Sequence, residues 1–154
     1  MHRILVPLDG SPLAETVMPT ALEIGEALGA EWVLVRVSPP YPTGWAMAAS
    51  AWGPVEPWDE IVESGKAAEE EAHEYLTRVR QKMAVDRSRV TIDARQGALP
   101  SALLNAVTDH EVTLIAMSTH GRGGLNRLVM GSVTDMVIRL SPVPVIVVHP
   151  PTVG

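Results

Sequence analysis

The sequence predicts an α/β fold: an open, parallel sheet of five strands with helices on both faces. Two observations predict it. Short apolar runs alternate with longer segments whose apolar residues recur every three or four positions, the pattern of strands and helices in a parallel sheet. Three of the runs also end on turn-forming or Gly-rich segments, at Asp9-Gly10, Ser38-Pro39-Pro40 and the loop after Ser118. In a parallel sheet these ends project from one edge, where ligands bind.

Residues 4–8 form the first apolar run, and Asp9-Gly10-Ser11-Pro12 reads as the turn that ends it. Leu13, Val17, Ala21, Ile24 and Leu28 then mark one face of a helix that stops at Gly29, and Pro19 is expected to kink it. Residues 32–37 are the second strand. Residues 39–58 break the rhythm, with prolines at 39, 40, 42, 54 and 57 and with Trp45, Trp52 and Trp58 among them. A loop of this length acts as a lid or contact surface, or packs on the body of the protein.

Ile61, Ala68, Ala72, Tyr75, Val79 and Met83 line one face of a long helix. Residues 90–94 alternate as a strand near an edge does, and residues 100–110 form the third helix after Gly97. Residues 114–118 are the fourth strand, 132–140 the fourth helix and 143–148 the fifth strand. No internal repeat is visible.

At 154 residues the chain has room for a single domain, 1–154, with a core of its own. Lysine and arginine total 12 against 18 aspartates and glutamates, a net charge of −6. That balance argues against general binding to nucleic acid or an anionic membrane. Without cysteine, disulfides, thiolate metal sites and cysteine nucleophiles are excluded. The chain opens on a strand and turn rather than a basic-then-apolar leader, and no apolar stretch approaches the roughly 20 residues that span a bilayer. A cytoplasmic location is expected. The histidines at 2, 73, 110, 120 and 149 show no metal-ligand spacing.

The stretch MSTHGRGGLNRLVMGS, from Met117 to Ser132, carries the chemistry. A strand that empties into a Gly-rich loop and then a helix N-terminus suits an anion. Glycine lets the backbone approach closely, and the first-turn N–H groups have no intrahelical acceptor. A plain Gly-rich turn is the alternative. Ser132 is placed at the helix N-cap, with Asp135 three residues on in a variant capping box; its hydroxyl either caps the helix or joins the N–H groups of Val133 and Thr134 on a phosphate. Neither the G-x-x-x-x-G-K-[ST] loop nor G-x-G-x-x-G is present. His120 could contact phosphate or be held by loop hydrogen bonds. Arg122 and Arg127 could neutralise phosphate or stay solvated, and Asp9 could bind ligand, form the turn, or do both.

Taken together, residues 4–11 (ILVPLDGS), the loop His120-Gly121-Arg122-Gly123-Gly124, the segment 131–135 (GSVTD) and the tail 142–148 (PVPVIVV) resemble a universal stress protein of the single-domain type over nearly the full length. The ATP-binding branch carries G-x2-G-x9-G-[ST]. Gly121 matches its second glycine and Gly131-Ser132 its end, while Ser118 stands where the first glycine belongs. A left-handed backbone there would strain a serine.

The resemblance implies a Rossmann-like sheet in the order 3-2-1-4-5 and a homodimer formed through the last strand, with Val143 and Val148 at its ends. It implies Asp9 and Val37 near adenine and ribose, and Gly121, Gly131, Ser132, Val133 and Thr134 around the phosphates. Pro7, Met117, Ser118 and Arg122 complete the implied set. The expected ligand is ATP or another adenine nucleotide (AMP, ADP or cyclic AMP), with Mg²⁺ as a companion ion, in a dimeric regulatory or stress-response module with an unknown protein partner. Two alternatives stand beside it: an interaction module whose Ser118 closes the pocket, and a slow ATPase, for which no base or P-loop lysine is evident.

Overall fold

The computed structural model describes residues 1–40, 58–119 and 132–149. The order of elements is β1 (Arg3–Pro7), a 3₁₀ turn (Ala14–Val17), α1 (Met18–Leu28), β2 (Glu31–Ser38), α2 (Trp58–Lys82), a second 3₁₀ turn (Arg87–Arg89), β3 (Val90–Gln96), α3 (Leu99–Asp109), β4 (Leu114–Ser118), α4 (Ser132–Leu140) and β5 (Val145–Val148). The five strands form one sheet in the order β3-β2-β1-β4-β5, and every neighbouring pair is parallel. This is the architecture that the apolar periodicity predicts, in the strand order that the resemblance implies. β3, with its alternating pattern, lies at an edge.

Alternation along the strands divides the core into two layers. Ile4, Val6, Trp32 and Leu34 face one side, where they pack with Val17 and Ala21 at α1 and with Leu76 and Val79 on α2. Leu5, Val33, Val35, Ile115 and Met117 face the other, against Leu103, Ala106 and Val107 of α3 and Val137 of α4. β1 and β4 are buried on both sides, hence their unbroken apolar runs. Burying a large aliphatic side chain contributes about 1.5–3 kcal/mol, so these layers hold the sheet.

Two local expectations are corrected. Pro19 does not kink a single helix: Ala14–Val17 is a 3₁₀ turn, and Pro19 lies in the first turn of the α-helix that follows, where its missing N–H is no loss. The fifth strand starts at Val145 rather than 143. The Ser141 hydroxyl occupies both backbone groups of Val143, donating to its carbonyl at 2.7 Å and accepting from its N–H at 3.2 Å, and Pro144 has no N–H to give. The fourth helix runs from Ser132 to Leu140 as the sequence predicts, and the Asp135 carboxylate accepts from Arg139 Nε at 2.8 Å, one turn ahead.

Candidate functional site

A cavity of about 390 Å³ opens at the carboxyl edge of the sheet, where β1, β2 and β4 end. Its walls are apolar, built by Val35 and Val37 of β2, Leu99 and Leu103 of α3, and Met117 of β4. Asp9, Ser118, Ser132 and Thr134 add polar groups. An apolar slot with a few convergent polar groups is the usual form of a small-molecule site, and its volume lies within the usual range of about 300–1,000 Å³.

Of the residues expected at a site, Pro7, Asp9, Val37, Met117, Ser118, Ser132, Val133 and Thr134 all line this one cavity. Gly121, Arg122 and Gly131 lie outside the described residues, as do His120, Arg127 and the loop at 41–57. Leu8, Ala14, Val35, Leu99 and Leu103 also line it and were not anticipated. A signal for the last two was present: they stand four apart at the start of the helix that follows β3, on the edge where the other strands end.

Each side chain reaches the cavity by an identifiable device. β1 ends at Pro7, and the Leu8 N–H donates to the Val35 carbonyl at 2.8 Å, which carries the chain out beside β2. Asp9 Oδ1 then accepts from the Ser11 N–H at 2.8 Å, closing a turn through Gly10 at φ +89°. Ser11 Oγ accepts from the Ala14 N–H at 3.1 Å and starts the 3₁₀ turn.

Ser118 is the last residue of β4, paired with Val148 in the sheet, and its φ is not positive. The strain that a left-handed glycine position would impose on a serine is therefore absent. Thr119 is buried; its N–H donates to the Val148 carbonyl at 3.0 Å, and its hydroxyl is bonded to His149 Nδ1 at 2.9 Å. The start of the Gly-rich segment is thus tied to the end of β5. On the opposite wall the first turn of α4 supplies Ser132, Val133 and Thr134, whose N–H groups precede the helix's own hydrogen-bond ladder.

Behind the Asp9 turn, on the other face of β2, lies a polar cluster. The Arg36 guanidinium sits over the Tyr75 ring at 5.1 Å and reaches Glu71 Oε1 at 3.3 Å. The Tyr75 hydroxyl donates to Glu15 Oε1 at 3.0 Å. Burial, then Glu15 and Asp9, push the Tyr75 phenol well above its ordinary value, and Arg36 opposes them. The phenol therefore stays a donor.

A second, polar cleft of about 480 Å³ runs between α2 and the β3 edge, lined by Lys66, Glu69, Glu70, His73 and Asp93 with Ile92 and Ala94. Asp93 itself accepts from Arg95 Nε at 2.9 Å and is bonded to His110 Nε2 at 2.7 Å. Burial works to raise its carboxyl, but those two partners override it and hold it below the usual value. No group of three or more His, Asp or Glu side chains able to hold a metal ion occurs among the described residues, and none of their helices is long and apolar enough to cross a membrane.

A family model described as the universal stress protein family matches residues 1–149. A universal stress protein of Methanocaldococcus jannaschii is 26% identical over 149 residues, covering 97% of this chain and 82% of that protein. The universal stress protein YxiE of Bacillus subtilis is 25% identical over 149 residues, covering 96% and 99%. Among solved structures, universal stress protein UspA from Lactobacillus plantarum superposes with a TM-score of 0.71 at 22% identity, covering 96% of this chain and 97% of its own. A universal stress protein in complex with cAMP superposes with a TM-score of 0.60 at 20% identity, covering 96% of each. These two likenesses concern the fold.

Proposed function

The chain belongs to the universal stress protein family, and from that premise we propose that it binds an adenine nucleotide, ATP foremost, in the cavity at the carboxyl edge of the sheet. One observation carries the reading. Residues as far apart in sequence as Pro7, Val37, Met117 and Thr134 line a single slot with apolar walls, polar ends and a helix N-terminus on its rim. A base and sugar suit the slot between Val37, Leu99 and Leu103. The hydroxyls and first-turn N–H groups of Ser132, Val133 and Thr134 suit phosphate oxygens. Asp9 is the group for ribose hydroxyls, and Gly121, Arg122 and Gly131 complete the site along the sequence motif.

In this reading the protein is one domain acting as a cytoplasmic homodimer, joined through β5, in the stress response. Nucleotide occupancy alters its contacts with a protein partner, and Mg²⁺ accompanies the triphosphate. AMP, ADP and cyclic AMP are alternative occupants; the cAMP complex of a protein with the same fold makes the last worth including. The closed-pocket alternative is disfavoured by Ser118, which ends β4 without a positive φ and lines an open cavity.

Isothermal titration calorimetry with ATP, ADP, AMP and cyclic AMP, with and without Mg²⁺, tests the reading. Saturable binding of at least one supports it, and heat flow no different from buffer at millimolar nucleotide sinks it. Nucleotide released from the purified protein by denaturation gives an independent check.

A further inference from the structure

We propose that Arg36 is the positioning residue of the cavity: from the far face of β2 it braces the turn that presents Asp9. The inference rests on the nucleotide reading for its ligand but not for its geometry. Val35 and Val37 line the cavity, so alternation along the strand turns the side chain between them to the opposite face. There the guanidinium meets the turn from behind. A Cβ built on Gly10 would lie 3.3 Å from Arg36 Cζ and 3.4 Å from each of its terminal nitrogens. Three nearly equal distances mean that the flat face of the guanidinium is turned toward the side of Gly10 where a side chain would stand.

The guanidinium is itself fixed. Tyr75 lies under it, Glu71 holds one nitrogen, and the Tyr75 hydroxyl is anchored on Glu15 just beyond the same turn. The arginine side chain is only 20% exposed, so the brace is sheltered from solvent. Gly10 permits this contact twice over, through its φ of +89° and through the missing side chain. The Asp9 carboxylate is one residue away, already bonded to the Ser11 N–H. A planar cation facing the turn at this range limits how that carboxylate is presented. A lysine keeps the charge but not the plane.

The experiment compares wild type, Arg36→Met and Arg36→Lys, each shown to be folded by its melting transition. Its first readout is hydrogen exchange at the Ser11 amide, which needs no ligand. Loss of the brace is expected to speed that exchange about tenfold in both variants, while the amides of β1 and β4 keep their rates. Its second readout is the affinity ratio of ATP to 2′-deoxy-ATP. Wild type is expected to prefer ATP, and both variants to lose that preference through an approximately tenfold weaker ATP complex. In an Asp9→Asn background, Arg36→Met is expected to add no further loss.

Unchanged Ser11 exchange in the folded variants overturns the proposal, and so does an unchanged ATP preference. Full rescue by lysine overturns the flat-face argument. If wild type binds no adenine nucleotide, the proposed function fails, and the Ser11 amide alone decides whether the brace exists.

Discussion

Gly25 and Trp32 interlock: a Cβ on Gly25 would run into Cζ2 of the Trp32 indole and lie 2.7 Å from its Nε1. The indole N–H donates to the Ala21 carbonyl at 2.9 Å, one turn earlier on the same helix. The ring thus lies along α1, with Arg89 over it at 4.8 Å. Trp32 is fully buried, so neither side of this contact can retreat. Gly25→Ala is therefore expected to destabilise the fold by about 1–3 kcal/mol, the range for overpacking a tight core. Urea unfolding followed by tryptophan fluorescence measures it, and a variant as stable as wild type contradicts the close fit.

Ser118 separates the open from the closed pocket. If the site binds ATP as proposed, Ser118→Gly removes at most one neutral hydrogen bond and weakens binding by no more than about tenfold. Ser118→Phe fills the slot and abolishes binding. Calorimetry distinguishes the cases: affinity appearing only in the glycine variant supports the closed-pocket module instead.

Asp93 predicts an acid-dependent loss of stability. Its folded pKa is lowered, so its contribution is fully present above the unfolded value of about 3.9. That contribution is lost as pH falls through the lower folded value. Asp93→Asn is expected to cost about 2 kcal/mol at pH 7, through hydrogen bonds that Arg95 and His110 no longer make to a charged group. The gap between variant and wild type should close as pH drops below 4. Denaturant melts at pH 7, 4 and 3 check the sign, and a gap that widens in acid refutes the assignment.

The proposed dimer has an equally direct test. β5 lies at an edge of the sheet and its residues are only partly buried. An edge with apolar side chains and free backbone groups invites a second chain. Ile146→Arg places a charge on that edge and is expected to convert the homodimer into a folded monomer. Sedimentation velocity reads the mass, and a wild type that is already monomeric rules out the interface.

Much of this architecture was legible because its signals are local. Two-sided burial makes the strands near β1 read as continuous apolar runs, while β3 at the edge alternates. Gly29 ends α1 in a left-handed conformation, at φ 61°, as its position after Leu28 predicts. β5 starts later than its apolar run predicts because the Ser141 hydroxyl takes the backbone groups of Val143, a competition that apolar character does not reveal. Pro19 differs from expectation for a similar reason. A proline within an apolar period looks the same whether it breaks a helix or lies in its first turn.

Periodicity and turn chemistry are properties of neighbouring residues, so the chain itself encodes the α/β class, the sequence of strands and helices, and the edge from which the site residues project. The resemblance it carried added the strand order and the set from Pro7 to Thr134. Packing in three dimensions set the rest: Leu99 and Leu103 wall the same cavity, Ser118 lies unstrained beside it, and the Arg36 guanidinium turns its flat face to Gly10. Those relationships join residues from separate elements. Their distances are set by how sheet and helices pack, and no spacing along the chain encodes them.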